Sequence, residues 1–313
     1  MPFSPTKESY AGKIYPVAIG LTPRDIVCGG ENVLPFHSFE GSVPNKPVVA
    51  YEIQDIFPDD WPEEVRKPYG DVLHNPVSWA QFCRDALHAR AIALRLAGTH
   101  PDREDRSPED AAAIVREVLS AVDVPLLVLG SNHAEKDGGV LIAAAEAAKD
   151  RNCIIGKAQE SNYKTIAAAA MANNHKLVAM SELDINLSKQ LNILITQMGF
   201  DKEKIIIDPM CSALGYGIEY TYSVMERIRL AALAQNDQTM QQPLLGDVGM
   251  YVWKVKETQA GEEDVPNWGS LKERGIAWEA VTALTLLLAG AGILIMRHPE
   301  AGQAVDKVIE ELM

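Results

Sequence analysis

Cysteine is scarce in this 313-residue sequence: Cys28, Cys83, Cys153 and Cys211 stand far apart, and no C-x-x-C spacing occurs. Structural zinc and iron–sulfur clusters are held by closely spaced thiolates, so no such site made by this chain alone is expected. A disulfide framework is equally unexpected, which suits a reducing, cytoplasmic setting. Basic residues are also short, 29 Lys and Arg against 43 Asp and Glu, leaving a formal charge of −14. Phosphate backbones and anionic membrane surfaces are recognised by clustered cations, so neither nucleic acid nor a membrane is the expected partner. The opening MPFSPTKESY has no apolar core of the length a secretory signal needs.

Long uninterrupted apolar runs are missing too. Ala277 to Met296 (AWEAVTALTLLLAGAGILIM) has the length for a bilayer's roughly 30 Å of hydrocarbon. However, Glu279 lies inside it and Ala289-Gly290-Ala291-Gly292 divides it, which predicts a buried helix followed by a buried parallel strand. No G-x-S-x-G marks a serine nucleophile, and Cys211 has no identifiable base beside it, so a small buried cysteine is expected there. No D-x-H-x-x-G occurs, so the chain offers no histidine to ligate a cobalt from below.

What is present is rhythm. With 47% hydrophobic residues the chain can build a sizeable core. From residue 47 on, short β-rich runs alternate with amphipathic or Ala-rich ones. The predicted strands run from Pro47 to Ile53, Ala91 to Leu96, Pro125 to Leu129, Cys153 to Lys157, Lys176 to Met180 and Lys204 to Ile207, then from Leu244, and from Ile293 to Met296. Helices are predicted over 75–89, from 107, and over 138–149, 162–173, 185–198, 218–234, 271–289 and 301–312, with Pro76 near a first position and Ser107 as a cap. Eight strands each followed by a helix define a (β/α)8 TIM barrel. Runs such as Leu126 to Leu129 and Ile205 to Ile207 are apolar without alternation, as in parallel strands covered on both faces. An open doubly wound sheet would carry a glycine-rich first turn, whereas the first strand here leads into Glu52-Ile53-Gln54-Asp55. Residues 1–46 read as an N-terminal β-hairpin extension (Lys13 to Ile19, Asp25 to Cys28, Asn32 to Leu34) over the barrel's N-terminal end, and 47–313 as the barrel. The stretch from Gly249 to Gly275 is too long for a routine connection and is expected to wall the binding face.

Chemistry in this fold sits at the C-terminal ends of the strands. Those ends supply Glu52 and Asp55; Thr99 and His100; Ser131, Asn132 and His133; Gln159, Glu160 and Asn162; Ser181, Glu182 and Asp184; Asp208, Pro209 and Met210; Asp247 and Met250; Arg297 and His298. Ser161, Asn162 and Asp184 are expected to serve as helix caps. His100, His133 and His298 with nearby carboxylates would suit a metal-dependent hydrolase, but the first strand lacks the H-x-H of such barrels, and no metal ligand is assigned. Gly138-Gly139 could open a helix over a phosphate or only open the turn; the turn is the expectation.

The run from Lys204 to Leu230, KIIIDPMCSALGYGIEYTYSVMERIRL, resembles the small subunit of the corrinoid iron–sulfur protein, the delta subunit of the acetyl-CoA decarbonylase/synthase complex. Cys28-Gly29-Gly30-Glu31, Leu34-Pro35-Phe36-His37, Glu52-Ile53-Gln54-Asp55 and Gly246-Asp247-Val248-Gly249 support the likeness. The resemblance implies a TIM barrel that pairs, as a heterodimer, with a large subunit carrying a [4Fe–4S] cluster. It also implies a corrinoid held at the interface with that subunit. Such a pair takes a methyl group from methyltetrahydrofolate through a methyltransferase and delivers it to acetyl-CoA synthase, in the reductive acetyl-CoA pathway by which anaerobes fix carbon. On that reading the chain has no catalytic residue of its own, and Ser131, Asn132, Glu182, Asp208, Met210, Asp247, Met250 and His298 are expected corrinoid contacts. Two alternatives stay open: a free-standing pterin-dependent methyltransferase using Asn132 and Asp208, and the metal-dependent hydrolase.

Overall fold

The computed structural model describes residues 6–313. Two short strands, β1 (Val17–Ile19) and β2 (Ile26–Cys28), precede β3 (Val48–Gln54), β4 (Ala91–Arg95), β5 (Leu126–Leu129), β6 (Ile154–Ala158), β7 (Lys176–Met180), β8 (Ile205–Asp208), β9 (Leu244–Asp247) and β10 (Ala291–Met296). The last eight are parallel and close into a barrel in sequence order, β10 pairing with β3 from Ile293↔Val48 to Met296↔Tyr51. Around it stand α1 (Glu63–Arg66), α2 (Pro76–Asp85), α3 (Pro108–Ala121), α4 (Ala134–Ala147), α5 (Tyr163–Ala172), α6 (Ile185–Gln197), α7 (Glu219–Leu233), α8 (Val248–Val252), α9 (Lys256–Gln259), α10 (Leu271–Leu288) and α11 (Pro299–Leu312). The (β/α)8 TIM barrel read from the strand count is therefore the fold, with a two-stranded N-terminal hairpin.

Local chemistry explains most boundaries. The Asn75 side chain accepts from Ser78 N at 2.9 Å to open α2, and Ser107 with Asp110 forms a capping box at α3. α4 begins one turn earlier than its pattern suggests, because His133 Nδ1 accepts from Lys136 N at 3.2 Å and caps it. Gly138 and Gly139 consequently lie inside the helix, where their N–H groups serve the helix ladder and cannot cradle a phosphate. Asp184 caps α6, as expected, whereas the Asn162 side chain accepts from Gln159 N and donates to Ala134 O, bridging two loops.

The hairpin is smaller than its sequence pattern, since Asn32 to Leu34 forms no strand. Its side chains Val17, Ile19, Ile26 and Cys28 pack with Val48, Ala50, Ala91, Leu127 and Ile154 inside the barrel and close its N-terminal end. Asn152, just before β6, donates to Ala18 O and Gly20 O and pins the hairpin there. The stretch after β9 is structured: α8 follows β9 directly, and α9 and a 3-10 turn at Pro266–Trp268 precede α10. The Ala277 to Met296 segment does divide into a helix and a buried strand, but α10 is not wholly buried. It keeps Trp278, Val281 and Leu288 exposed while burying Ala280, Ala283, Leu286 and Leu287. Among the described residues no helix is long and apolar enough to cross a membrane.

Candidate functional site at the barrel mouth

Alternate residues of a barrel strand face inward. The inward columns begin apolar at the hairpin end and turn ionic at the other: Val48, Ala50, then Glu52 on β3; Ala91, Ala93, then Arg95 on β4; Ile206, then Asp208 on β8; Leu245, then Asp247 on β9. Between β6 and β7 the register shifts after Ile155, which brings Lys157 into the same layer. Gly156 permits this approach, since a Cβ there would stand 2.7 Å from Val178 Cβ.

These side chains form one buried network. Lys157 Nζ lies 2.6 Å from Asp247 Oδ2 and 2.8 Å from Asp208 Oδ2. Arg95 bridges Asp247 (2.9 Å) and Glu52 (3.0 Å), and Arg297 meets Glu52 at 2.9 Å from the other side. Burial alone would push both carboxyls up, but Arg297 and Arg95 hold Glu52 below its usual range. Arg95 and Lys157 likewise outweigh burial at Asp247 and hold it well below that range. For Lys157, burial pulls down while Asp208 and Asp247 prevail and raise it, so the ammonium stays charged. Asp247 Oδ1, Gln54 Oε1 and Ser181 Oγ remain buried without a hydrogen-bond partner.

Above this layer lie the loops. The Asp137 carboxylate accepts from Ser131 N (2.8 Å), Ser131 Oγ (2.9 Å) and Asn132 N (2.9 Å), and it fills the space a side chain at Gly130 would need. Asn132 is thereby held at φ +69° with Nδ2 directed at Met250 Sδ, 3.1 Å away. Met210 sits at φ +67° with its N–H donating to Asp208 Oδ1 at 2.8 Å. Leu183, on the loop after β7, is at φ +52°. Left-handed backbone at non-glycine residues is costly and concentrates where loop shape matters for function. Glu182 borders a depression of about 360 Å³ with Gln159, Glu160, Ser161, Met180 and Leu187.

The structure thus brings Asn132 against Met250, ties Ser131 and Asn132 to Asp137, and links Asp208 to Asp247 through Lys157, with the Met210 N–H donating to Asp208. Glu182 stands on an adjacent loop of the same face. His298 is not among them. It is fully buried, caps α11 through Nδ1 (Glu300 N, 3.1 Å), donates its own N–H to Glu279 Oε2 (3.0 Å) and stacks on Trp253. His100 and His133 pack edge-to-face with ring centres 5.4 Å apart, and each Nδ1 accepts a main-chain N–H. Among the described residues no three His, Cys, Asp or Glu side chains group to hold a metal ion. Of the other network members, Glu52 and Arg297 stand among the strand-end residues read from the sequence but not among the expected contacts, and Arg95 and Lys157 were not singled out at all. A signal for both existed: Arg95 ends the run Ala91-Ile92-Ala93-Leu94, and Lys157 follows Ile154-Ile155-Gly156, each a charge closing an apolar strand.

The barrel aligns with that of dihydropteroate synthase from Xanthomonas albilineans at a TM-score of 0.61 and 13% identity, over 95% of this chain and 97% of that one. The Thermus thermophilus dihydropteroate synthase gives 0.55 and 13%, over 95% of this chain and all of that one, 100%. At such identity the likeness shows the fold alone. The sequence goes further. The chain belongs to the CO dehydrogenase/acetyl-CoA synthase delta subunit family, whose sequence model matches residues 16–305. The acetyl-CoA decarbonylase/synthase complex subunit delta of Methanothermobacter thermautotrophicus is 36% identical over 98% of this chain and 78% of its own length. The subunit delta of Archaeoglobus fulgidus is 35% identical over 99% and 71%.

Proposed function

We propose that this chain is the small, delta-type subunit of a corrinoid iron–sulfur methyl carrier that serves acetyl-CoA synthesis in the reductive acetyl-CoA pathway. The observation that carries the reading is a likeness of about 35% identity, extending over nearly the whole chain, to proteins named as subunit delta of the acetyl-CoA decarbonylase/synthase complex. The partners on this reading are a large subunit bearing the [4Fe–4S] cluster, a methyltetrahydrofolate-dependent corrinoid methyltransferase, and acetyl-CoA synthase. The compartment is the cytoplasm, which suits four free, buried cysteines.

The residues at the mouth fit a corrinoid held at its periphery. A corrin ring carries amide side chains, which need donors and acceptors together. Asn132 and Glu182 supply them at the rim, and the unpartnered Ser181 hydroxyl supplies another below. Met210 and Met250 add soft, adaptable apolar contact. When bound, the corrinoid supplies the cobalt that carries the methyl group. This chain's part is to bind, orient and shield. Asp208 and Asp247 act from beneath, keeping Lys157 and Arg95 neutralised so that the face stays rigid and close to uncharged. Ser131 sets the Asn132 loop through Asp137. His298 has its place in the wall and makes no contact in this scheme. The alternative of a free-standing pterin methyltransferase would require Asp208 at its active centre, where it already pairs with Lys157 at 2.8 Å.

The test is absorbance with size-exclusion chromatography of the chain alone and of the chain co-produced with a cluster-bearing large subunit from the same source. The expected result is a heterodimer with a corrinoid spectrum in the joint sample only. A lone chain that is stable, colourless and moves methyl groups from a pterin overturns the proposal.

A further inference from the structure

The ionic layer lies at the strand tips, where a barrel is open, yet none of its six members is more than 3% exposed. The carboxylates Glu52, Asp208 and Asp247 are not exposed at all. The chain itself covers them. Counted around the barrel, β5 and β9 are four strands apart in either direction, so they stand diametrically opposite. Asn132 lies three residues beyond Leu129, the end of β5, and Met250 three beyond Asp247, the end of β9. Their contact, Asn132 Nδ2 to Met250 Sδ at 3.1 Å, therefore crosses the mouth above the layer. The interior of an eight-stranded barrel is just wide enough for side chains to fill, so two that meet from opposite strands close it. Met210, on the loop after β8, adds to the cover with its N–H on Asp208 Oδ1.

This strap is fixed at its β5 end. The Asp137 carboxylate holds Ser131 N, Ser131 Oγ and Asn132 N, and it fits there because residue 130 is glycine; a Cβ would stand 2.5 Å from Asp137 Oδ2. Asn132 is thereby kept in its left-handed conformation with the carboxamide reaching across the mouth. Asn162 Nδ2, donating to Ala134 O at 3.0 Å, and the packing of His133 on His100 tie the same turn to the loops on either side. The link to Met250 is weak in itself, since a thioether is a poor acceptor. Its persistence comes from how the ends are held. Beneath it, Asp247 Oδ1 and Gln54 Oε1 are buried acceptors without a partner, and Arg95 Nη1 is a buried donor without one. Uncovered, they would draw in water, raise the local dielectric and weaken the ion pairs around them. Uncovered beneath a metal-bearing cofactor, Asp247 would offer a carboxylate to the metal and Lys157 a proton.

We propose that Asn132 and Met250 form a strap that seals the ionic layer, with Asp137 as its positioning residue, so that a cofactor seated on the mouth meets an amide and a thioether in place of carboxylates and an ammonium. What the strap does for the cofactor rests on the methyl-carrier reading above; the seal itself does not. Acetic anhydride applied to the native chain alone tests the seal, because acetylation of Lys157, only 2% exposed, can be followed by mass spectrometry. In the wild type Lys157 should stay unmodified while the exposed Lys307 reacts. Met250→Ala is expected to speed acetylation of Lys157 roughly tenfold or more by opening the mouth locally. Asp137→Asn should do so to a smaller extent, and Met250→Leu, which refills the space, should keep the protection. Lys176, buried at the other end of the barrel on β7, reports general loosening and should keep its wild-type rate in every variant. A Lys157 as inert in Met250→Ala as in the wild type, or as reactive in the wild type as Lys307, overturns the strap. In the corrinoid-loaded heterodimer Met250→Ala should shift the visible bands of the bound corrinoid. Unmoved bands with Lys157 newly reactive overturn the role toward the cofactor and leave the seal standing. A wild-type heterodimer that carries no corrinoid overturns the methyl-carrier reading, while the acetylation of the lone chain still decides the seal.

Discussion

The two ends of the barrel are closed by opposite chemistries. At the N-terminal end the hairpin inserts Val17, Ile19, Ile26 and Cys28 among Val48, Ala91 and Leu127, a closure that is apolar and non-directional. At the C-terminal end Lys157, Arg95 and Arg297 interlock with Asp208, Asp247 and Glu52, a closure that works only while every partner is present. Ion pairs in a dry interior are seldom the most stabilising choice, because desolvation offsets most of the attraction. A barrel selected for stability alone would have apolar layers at both ends. The ionic layer is instead the support of a face that must present polar groups in fixed positions, and the strained Asn132 and Met210 loops sit directly upon it.

Substitutions at the two ends should separate these closures. Lys157→Met leaves Asp208 buried without its cation and Asp247 with Arg95 alone, and is expected to cost about 3–5 kcal/mol in urea unfolding. A loss under about 1 kcal/mol would mean the ionic layer is not what holds the mouth. Glu279, in the wall near His298, should show a smaller, pH-dependent effect. Burial pushes its carboxyl up to about 7 from the usual 4.5, although Arg297 N, His298 N and Trp253 Nε1 donate to it and Arg297 pulls it down. The folded state then keeps a proton that the unfolded chain has lost, so stability falls as pH rises between those values. Glu279→Gln should remove that decline, on the order of 2 kcal/mol between about pH 5 and pH 8. Equal slopes in variant and parent would show that the charge is compensated elsewhere. The smallest effect belongs to the apolar end: Ile206→Val, fully buried, should cost about 0.5–1.5 kcal/mol. If it proves as damaging as Lys157→Met, the contrast between the two ends is wrong.

The elements were legible wherever local chemistry decides them. Non-alternating apolar strands, the Ser107 capping box and the strand count lead to the barrel without tertiary information. Boundaries moved where a residue outside the usual capping set served as a cap, as when His133 accepted from Lys136 N and opened α4 early. The mouth was legible in part: Asn132, Met210, Asp208, Asp247 and Met250 stand at strand ends, where the fold puts polar groups. Arg95 and Lys157 were passed over because a charge inside a strand has no local explanation; their partners lie 152 and 90 residues away. His298 shows the converse, a strand-end residue that packing draws into the wall. The apolar outer face of α10 looked like core because composition cannot say which side of a helix finds a partner.

The sequence by itself determined the class of fold, the order of its elements and, through a likeness over nearly the full chain, the family. These follow from local periodicity, capping and identity, none of which needs a distant residue. Only the tertiary structure decided which charges neutralise one another at the mouth, which strand-end groups remain available, and which face of α10 is left outward. Pairing and exposure depend on residues remote in sequence being brought within a few ångströms, and closing the barrel is what does that.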